Sequence, residues 1–429
     1  MNTSTFAKTI VSHWSVIAVV AVLIYYSIFS HEFQLYWDDQ WQVINSMTND
    51  GISLKNLQTI FHSISNGQYS PINQLYYTLI HLCFGYSSLA FHIGNLLFHI
   101  FNACLVYLLA YSFIRNHFDS KKALGISFFT ALLFAIHPVQ VETVCWISAS
   151  KIVLSTFFYL SALICYIQYM RNSKWQYLLA SVVSSSSILA MGCKEQSVII
   201  VPCLLLFDWM LFKRNMRSLK VYIEKVYYLI PAIAIFIVTL VANKNTGEEI
   251  IGYTIVDRFI FLCYSSFKYL LISAIPFKLS YLYPFPFQVG EKIPMALWIY
   301  PFVILFIGYV IYLNRRKPLL VFCTLFFILH LLPVLHVIPL PRYVVAADRY
   351  LYIPYIAFAI GLSILSYHLY ERQRKWILYA GFLYCSYLCV YTAGYAPAWK
   401  NSDTLKEHFK EVLKKRETNL SINFKHEKQ

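Results

Sequence analysis

Leu89-Ala90-Phe91-His92-Ile93-Gly94-Asn95-Leu96-Leu97-Phe98-His99-Ile100-Phe101-Asn102-Ala103-Cys104-Leu105-Val106-Tyr107-Leu108-Leu109-Ala110-Tyr111-Ser112-Phe113 is the stretch on which the fold turns. It holds no Asp, Glu, Lys or Arg, and at about 1.5 Å per residue a helix of this length crosses about 30 Å of hydrocarbon. His92, Asn95, His99 and Asn102 recur at steps of three, four and three, so they share one stripe of that helix. Amides and imidazoles facing lipid are costly, so the stripe must face other helices or a cavity. Interhelical hydrogen bonding and a polar substrate path are both open readings. Zinc is not supported, because His92 and His99 are about 10 Å apart along the axis.

Working outward, the whole chain repeats this texture. It has 429 residues, 59% hydrophobic and 13% charged, with 35 Lys+Arg against 20 Asp+Glu for a net charge of +15. The charge content is far below the roughly 25% of soluble domains, which argues against a soluble multi-domain protein and excludes disorder. Apolar runs of membrane-helix length argue for helices over the alternating strands of a barrel. The positive charge falls in short clusters between these runs, not on one face, so nucleic acid is not an expected partner. The clusters are Arg115/Lys121/Lys122, Arg171/Lys174, Lys213/Arg214/Arg217/Lys220/Lys225, Arg315/Arg316/Lys317 and Arg372/Arg374/Lys375, and the positive-inside rule assigns all of them to the cytoplasmic side.

An even number of crossings must then separate neighbouring clusters. Segments near 14–30, 89–113, 124–137, 141–170, 175–192, 196–212, 226–243, 296–314, 318–335, 352–370 and 376–396 satisfy this, giving an all-α polytopic membrane protein with about eleven spans. The stretch 259–275 would break the parity, and with Lys268 inside it reads as a helix on the outer membrane surface. The N-terminus is expected in the cytoplasm and the C-terminus outside. With only Lys8 ahead of it and no cleavage signature behind it, the first span reads as a retained signal anchor. The ten cysteines lie mostly inside spans and form no Cys-x-x-Cys pair, so they read as buried thiols.

Polar residues gather in the outer loops. The first, 31–75, contains Tyr36-Trp37-Asp38-Asp39-Gln40-Trp41, adjacent carboxylates among interfacial aromatics where a lipid-linked head group could be presented; the competing reading is a solvated loop or a helix cap. His137-Pro138-Val139-Gln140-Val141-Glu142 is an outer hairpin between spans, and Lys151 enters the membrane soon after it. A lysine at that depth needs a partner, an anionic ligand or water. Lys194-Glu195-Gln196 forms a further outer junction, readable as a turn with an ion pair. Arg342 and Asp348-Arg349-Tyr350-Leu351-Tyr352-Ile353-Pro354 lead into the tenth span. Guanidiniums there suit phosphate, and a structural Asp348–Arg349 pair is the competing explanation. The aromatics of 276–286 fit either sugar stacking or lipid head groups.

These stretches resemble a known family: the GT-C class of membrane glycosyltransferases, and within it the transmembrane-and-tetratricopeptide-repeat O-mannosyltransferases and their bacterial relatives. The resemblance rests on Tyr36-Trp37-Asp38-Asp39, on His92-Ile93-Gly94-Asn95-Leu96-Leu97-Phe98-His99, on 133–142, on Lys194-Glu195-Gln196 and on 347–354, in the family's order from about residue 30 to 405. It implies a GT-C-like fold with short external helices in the first and fourth outer loops, and an enzyme that moves a sugar from a polyprenyl-phosphate carrier to an acceptor on the external face. The family's first-loop catalytic acid falls on Asp38 or Asp39, with the leading one preferred. Such a carboxylate takes the acceptor proton in an inverting displacement. Lys151, Lys194, Arg342 and Arg349 are candidates for stabilising the phosphate, and Glu195, Asp348, His92, His137 and Glu142 join them as substrate-site candidates. The donor is a co-substrate; no cofactor is expected, and a divalent metal is not supported.

The chain departs from the family in two places. Relatives carry an Arg and an acid around the position of Lys151, where this chain reads Ala149-Ser150-Lys151-Ile152, and no repeat array follows the membrane region. The expected organisation is therefore a catalytic membrane domain over 1–400, with outer loops at 31–75 and 244–295, and a short external tail over 401–429. Leu405, Phe409, Val412 and Leu413 make that tail an amphipathic helix expected to lie on the membrane. Partners implied are the bilayer, a polyprenyl-phosphate sugar, and a protein or glycan acceptor. Mannose on Ser or Thr extrapolates from relatives; a glycolipid or cell-wall glycan suits the loops equally. The absence of targeting extensions points to a bacterial inner membrane with a periplasmic active face. A flippase or solute carrier would share the composition, as would a glycan polymerase or ligase, but a carrier places its site near the midplane between matching halves, a pattern this sequence lacks.

Overall fold

The computed structural model describes residues 3–171, 174–244, 252–337, 344–412 and 414. Among them the secondary structure is helical, with β pairing limited to the isolated bridges Ser65–Gln68 and Tyr283–Ala346. Seven helices are long and apolar enough to cross a membrane: 4–24, 88–114, 147–171, 176–193, 219–242, 295–313 and 374–399. The helix Ser120–Ile136 and the short one after it, bent by 51°, make an eighth, and 318–334 is apolar but shorter. Helices Ile200–Met210 and Pro354–Arg372 fill the two remaining expected positions. The chain is an integral multi-pass membrane protein.

Several boundaries differ from the hydropathy reading, each for a local reason. The first helix spans Thr3–Ile24 and gives way to a 3-10 turn at Tyr26–Ser30, so the span begins earlier than 14. The expected span 141–170 is broken: Val141–Cys145 and Ile147–Ala149 are separate turns, Trp146 between them is extended, and the long helix runs Ser150–Arg171. The run 196–212 likewise starts as a 3-10 turn at Glu195–Ile199. Hydropathy averaged over a window of span length does not resolve breaks this short. Over the expected 259–275 stretch a helix is observed at Ile255–Ala274, opened by a capping box in which Thr254 Oγ1 accepts from the Asp257 amide and Asp257 accepts from the Thr254 amide at 2.7 Å.

At the centre Ser88–Ile114 packs against Ser120–Ile136 and Ser150–Arg171, and Pro354–Arg372 closes against Ser120–Ile136 and Pro318–Leu331. The polar stripe faces this interior and is fully buried. Asn102 donates to the Val153 carbonyl at 2.9 Å and to the Tyr352 hydroxyl at 3.2 Å; His99 meets the same hydroxyl at 2.8 Å and the Ala135 carbonyl at 3.1 Å. Asn95 donates to the Trp146 carbonyl at 3.1 Å, satisfying backbone that the break leaves outside the regular helix. Asn95, His99 and Asn102 thus tie the central helix to its neighbours by hydrogen bonds. Gly94 lets Tyr76 approach, since a Cβ there would lie 2.1 Å from its hydroxyl.

The charges of the Lys213–Lys225 cluster are partly neutralised by acids within the body. Arg214 makes a bidentate pair with Glu224 at 2.6 and 3.0 Å, and Lys225 reaches the fully buried Asp208 at 2.8 Å. Helix 402–412 also differs from expectation: Leu405 and Val412 are buried, and Phe409 lies 5.1 Å from Tyr281, so its apolar stripe covers the protein body instead of the bilayer. Leu413 lies outside the described residues.

Candidate active site

The two acids of the first outer loop have different fates. Asp39 is fully buried: its carboxylate accepts from the Gln34 amide at 2.8 Å, from the Ser148 amide at 2.9 Å and from the Ser148 hydroxyl. It thereby ties the loop to the turn Ile147–Ala149. Burial pushes its carboxyl up to about 6; the Ser148 and Gln34 hydrogen bonds oppose the rise, and the Asp38 charge adds to it. Asp38 is half-buried at the start of the turn Asp39–Gln42, and its carboxylate accepts one side-chain bond, from Gln42 Nε2 at 3.2 Å. One acid holds the loop and the other is available.

The loop is further fixed by the chain beyond the last span. Glu32 N donates to the Lys400 carbonyl at 2.8 Å, Gln34 Nε2 to the Trp399 carbonyl at 2.8 Å, and the Tyr36 amide to the Ser402 hydroxyl at 3.2 Å. Trp37, Tyr281 and Trp399 form an edge-to-face aromatic cluster, with Trp146 stacked on Trp399 at 5.8 Å. Tyr281 and Tyr283 of the aromatic outer loop are buried in this layer, while Phe277 is exposed.

Lys151 emerges from the first turn of its helix into the same region and is 7% exposed. Its Nζ donates to Gln42 Oε1 at 3.1 Å and to Gln68 Oε1 at 2.5 Å. Among the described residues no carboxylate lies within salt-bridge distance of it, though the charges of Lys194, Asp38, Glu195 and Arg349 all act on it. Gln42 bridges Asp38 and Lys151. Gln68 is delivered by a tight turn: Ser65 and Gln68 pair backbone to backbone around Asn66 and Gly67, both with positive φ, as this pair of residue types allows. A cavity of about 40 Å³ lies between the turn and the loop, lined by Trp41, Gln42, Gln68, Ser70, Asn73 and Tyr77 among others.

The other cations carry their own counter-charges. Lys194 pairs with Glu195 at 2.6 Å; burial opposes ionisation of Glu195, but the neighbouring ammonium outweighs it and holds the carboxyl below its ordinary range. Arg349 pairs with Glu142, which also accepts from the Arg349 amide at 2.8 Å, so its partner comes from the 137–142 hairpin and not from the adjacent Asp348. The Asp348–Arg349 pair read from sequence is replaced by two separate contacts. Asp348 instead accepts from the Tyr283 hydroxyl at 2.7 Å, and burial, reinforced by Glu142, drives its carboxyl well above the ordinary range. Arg342 lies outside the described residues.

Two candidates are interior groups. His92 is buried edge-on to His31 at 5.5 Å, with a long contact of 3.5 Å to the Glu32 carbonyl. His137 is buried at a helix end, where its Nδ1 accepts from the Val139 amide at 3.2 Å, and its ring lies 4.2 Å from Tyr355. Asp38, Gln42, Lys151 and Gln68 therefore form one bonded chain, with Lys194–Glu195 and Arg349–Glu142 around it. Sequence reading missed Gln42, Gln68 and Ser148. Gln42 follows Asp38 by one helical turn, a spacing that could have drawn attention to it; no local signal pointed to the other two.

The fold and the site are those of a helical multi-pass membrane protein whose first inter-helix loop carries two acids and is closed over by later junctions. Among solved structures the chain is similar to the archaeal oligosaccharyltransferase AglB of Archaeoglobus fulgidus, in complex with an inhibitory peptide and a dolichol-phosphate: TM-score 0.50, 14% identity, covering 90% of this chain and 56% of that one. A second structure, of the Archaeoglobus fulgidus oligosaccharyltransferase tethered to an acceptor peptide, aligns at TM-score 0.47 and 13% identity, covering 93% of this chain and 55% of that one. The chain thus spans just over half of each, and the likeness is one of fold. No protein-family model and no curated protein matches it.

Proposed function

We propose that this protein transfers a sugar, mannose by extrapolation from the O-mannosyltransferases it resembles, from a polyprenyl-phosphate carrier to an acceptor hydroxyl on the external face of a membrane. The observation that carries the reading is the division of labour in the first outer loop: Asp39 is consumed by structural hydrogen bonds, whereas Asp38 is half-buried and is linked to the Lys151 ammonium through Gln42, which also lines the neighbouring cavity. A GT-C fold shared with a protein solved with dolichol-phosphate and a peptide supports the substrate classes.

In this mechanism the acceptor oxygen attacks the anomeric carbon from the face opposite the phosphate as its proton passes to the Asp38 carboxylate. The bond between the anomeric carbon and the phosphate oxygen breaks, its electron pair leaves with the phosphate, and the configuration inverts. Phosphate needs little protonation as a leaving group. It needs compensation of its growing negative charge, a role open to Lys151, Lys194 and Arg349.

The test is transfer of radiolabelled sugar from a panel of polyprenyl-phosphate sugars in membranes containing wild type, Asp38→Asn or Asp39→Asn. Loss of the base is expected to lower the rate of Asp38→Asn by about 10²–10⁴-fold with expression and melting temperature retained. Normal product formation by Asp38→Asn would overturn this assignment. The labelled product, whether protein, glycan or lipid, identifies the acceptor.

A further inference from the structure

The end of the central helix farthest from the acid-bearing loop, about 30 Å from His92, carries a second group of charges. Arg171, the last residue of helix Ser150–Arg171, donates through Nη2 to the Ser112 carbonyl at 3.1 Å, in the last turn of helix Ser88–Ile114. Its Nη1 is enclosed and has no acceptor among the described residues, and the one charge that acts on it is that of Arg115. A half-buried guanidinium thus faces another guanidinium while one of its own donors goes unused, a cost that an oxygen-bearing anion removes. Two residues after Arg115, His117 lies within reach of the Lys213 charge. Lys213 is exposed in the turn that ends helix Ile200–Met210, with a φ of +50°, a left-handed backbone that glycine adopts freely and lysine does not. Lysine there strains the turn, and among the described residues its ammonium gains no carboxylate in return. The acids of the elements packed around the group are engaged elsewhere: Asp208 and Glu224 with Arg214 and Lys225, Asp119 and Glu371 with Lys122. Trp175, Tyr177 and Trp209, close by in the chain, are exposed, as amphipathic rings are at a membrane boundary.

We propose that Arg115, Arg171 and Lys213 bind the phosphate of an anionic phospholipid head group at this end of the protein. Guanidiniums hold phosphate oxygens in bidentate fashion, which supplies the acceptor that Arg171 lacks, and the lysine adds a point charge. Free phosphate offers the same oxygens, but the three cations stand where helix ends and exposed aromatics meet the bilayer surface, so a lipid presents its phosphate already anchored by its chains. Binding there does not depend on sugar transfer.

The experiment titrates the detergent-solubilised full chain with a fluorescent phosphatidylglycerol, with a phosphatidylcholine of the same chains and with radiolabelled inorganic phosphate, for wild type, Lys213→Gly, Arg171→Gln, Arg171→Lys and Arg316→Gln, and records each melting temperature. Wild type should bind the anionic lipid saturably and about fivefold or more tightly than the zwitterionic one. Lys213→Gly should weaken that binding about fivefold or more while its melting temperature holds or rises, because glycine relieves the strained turn. Arg171→Gln should lose at least as much, and Arg171→Lys should fall between, keeping the charge without the fork. Arg316→Gln removes an exposed cation at another junction and should bind as wild type. Wild-type affinity in Lys213→Gly, or a loss in Arg316→Gln equal to that of the site variants, would overturn the proposal in favour of general surface charge. Inorganic phosphate binding that Lys213→Gly abolishes, with no preference between the two lipids, would overturn the lipid and leave free phosphate as the ligand.

Discussion

Asp39 offers a test in which sign and size both follow from the fold. Its carboxyl is fully buried, and burial raises it from 3.8 to about 6 despite hydrogen bonds from Ser148 and Gln34. At about 1.36 kcal/mol per pKa unit, this is about 3 kcal/mol of preferential binding of the proton by the folded state. A raised carboxyl contributes stability that is complete below pH 3.8 and is lost as pH rises through about 6. With an unfolding entropy of about 2.1 cal/mol/K per residue over 429 residues, the loss corresponds to about 3 °C. The perturbation is Asp39→Asn, which cannot titrate. The assay is thermal unfolding of both purified proteins in detergent from pH 4 to 7.5, taken as the difference between them so that other titrating groups cancel. Wild type should lose about 3 °C relative to the variant across this range, with half of the loss reached near pH ~5, midway between 3.8 and about 6, and little further change above about pH 7. Parallel curves, or a difference that grows in the opposite direction, would refute the reasoning.

Other expectations follow from the buried contacts. Glu142→Gln strips the Arg349 guanidinium of its carboxylate, and because that side chain is 23% exposed the cost should fall near the lower end of about 3–5 kcal/mol, read as a lower melting temperature. Asn102→Leu removes the donor to the Val153 carbonyl and the Tyr352 hydroxyl and should destabilise by about 1–3 kcal/mol in the same measurement. Its transfer rate per folded molecule should stay close to wild type, since the stripe is structural; a selective loss of rate would restore the stripe as a substrate path.

Much of the helical framework was legible in the chain. Long apolar runs fix where helices can cross, because a backbone in hydrocarbon must satisfy its own hydrogen bonds, and the segments read from hydropathy correspond to helices at 88–114, 176–193 and 374–399. The spacing of His92, Asn95, His99 and Asn102 told equally that this face could not meet lipid. What that spacing could not supply were the partners: Tyr352 is 250 residues from Asn102, and only packing brings the two together. The break at Trp146 escaped for a related reason, since hydropathy averages over a window while a kink depends on individual backbone angles and on the Asn95 amide that accepts the cost.

The site divides along the same line. Sequence alone determined that acids follow the first apolar run and that cations sit at later junctions between runs, because residue type and distance from an apolar run are properties of the chain. It preferred Asp38 only by resemblance and could not say that Asp39 is held by Gln34 and Ser148, nor that Arg349 answers to Glu142 instead of Asp348, nor find Gln68. Those depend on which donors reach a given carboxylate or ammonium. Hydrogen bonds and buried ion pairs act over a few ångströms, and the residues that come that close are chosen by tertiary packing, not by their separation along the chain.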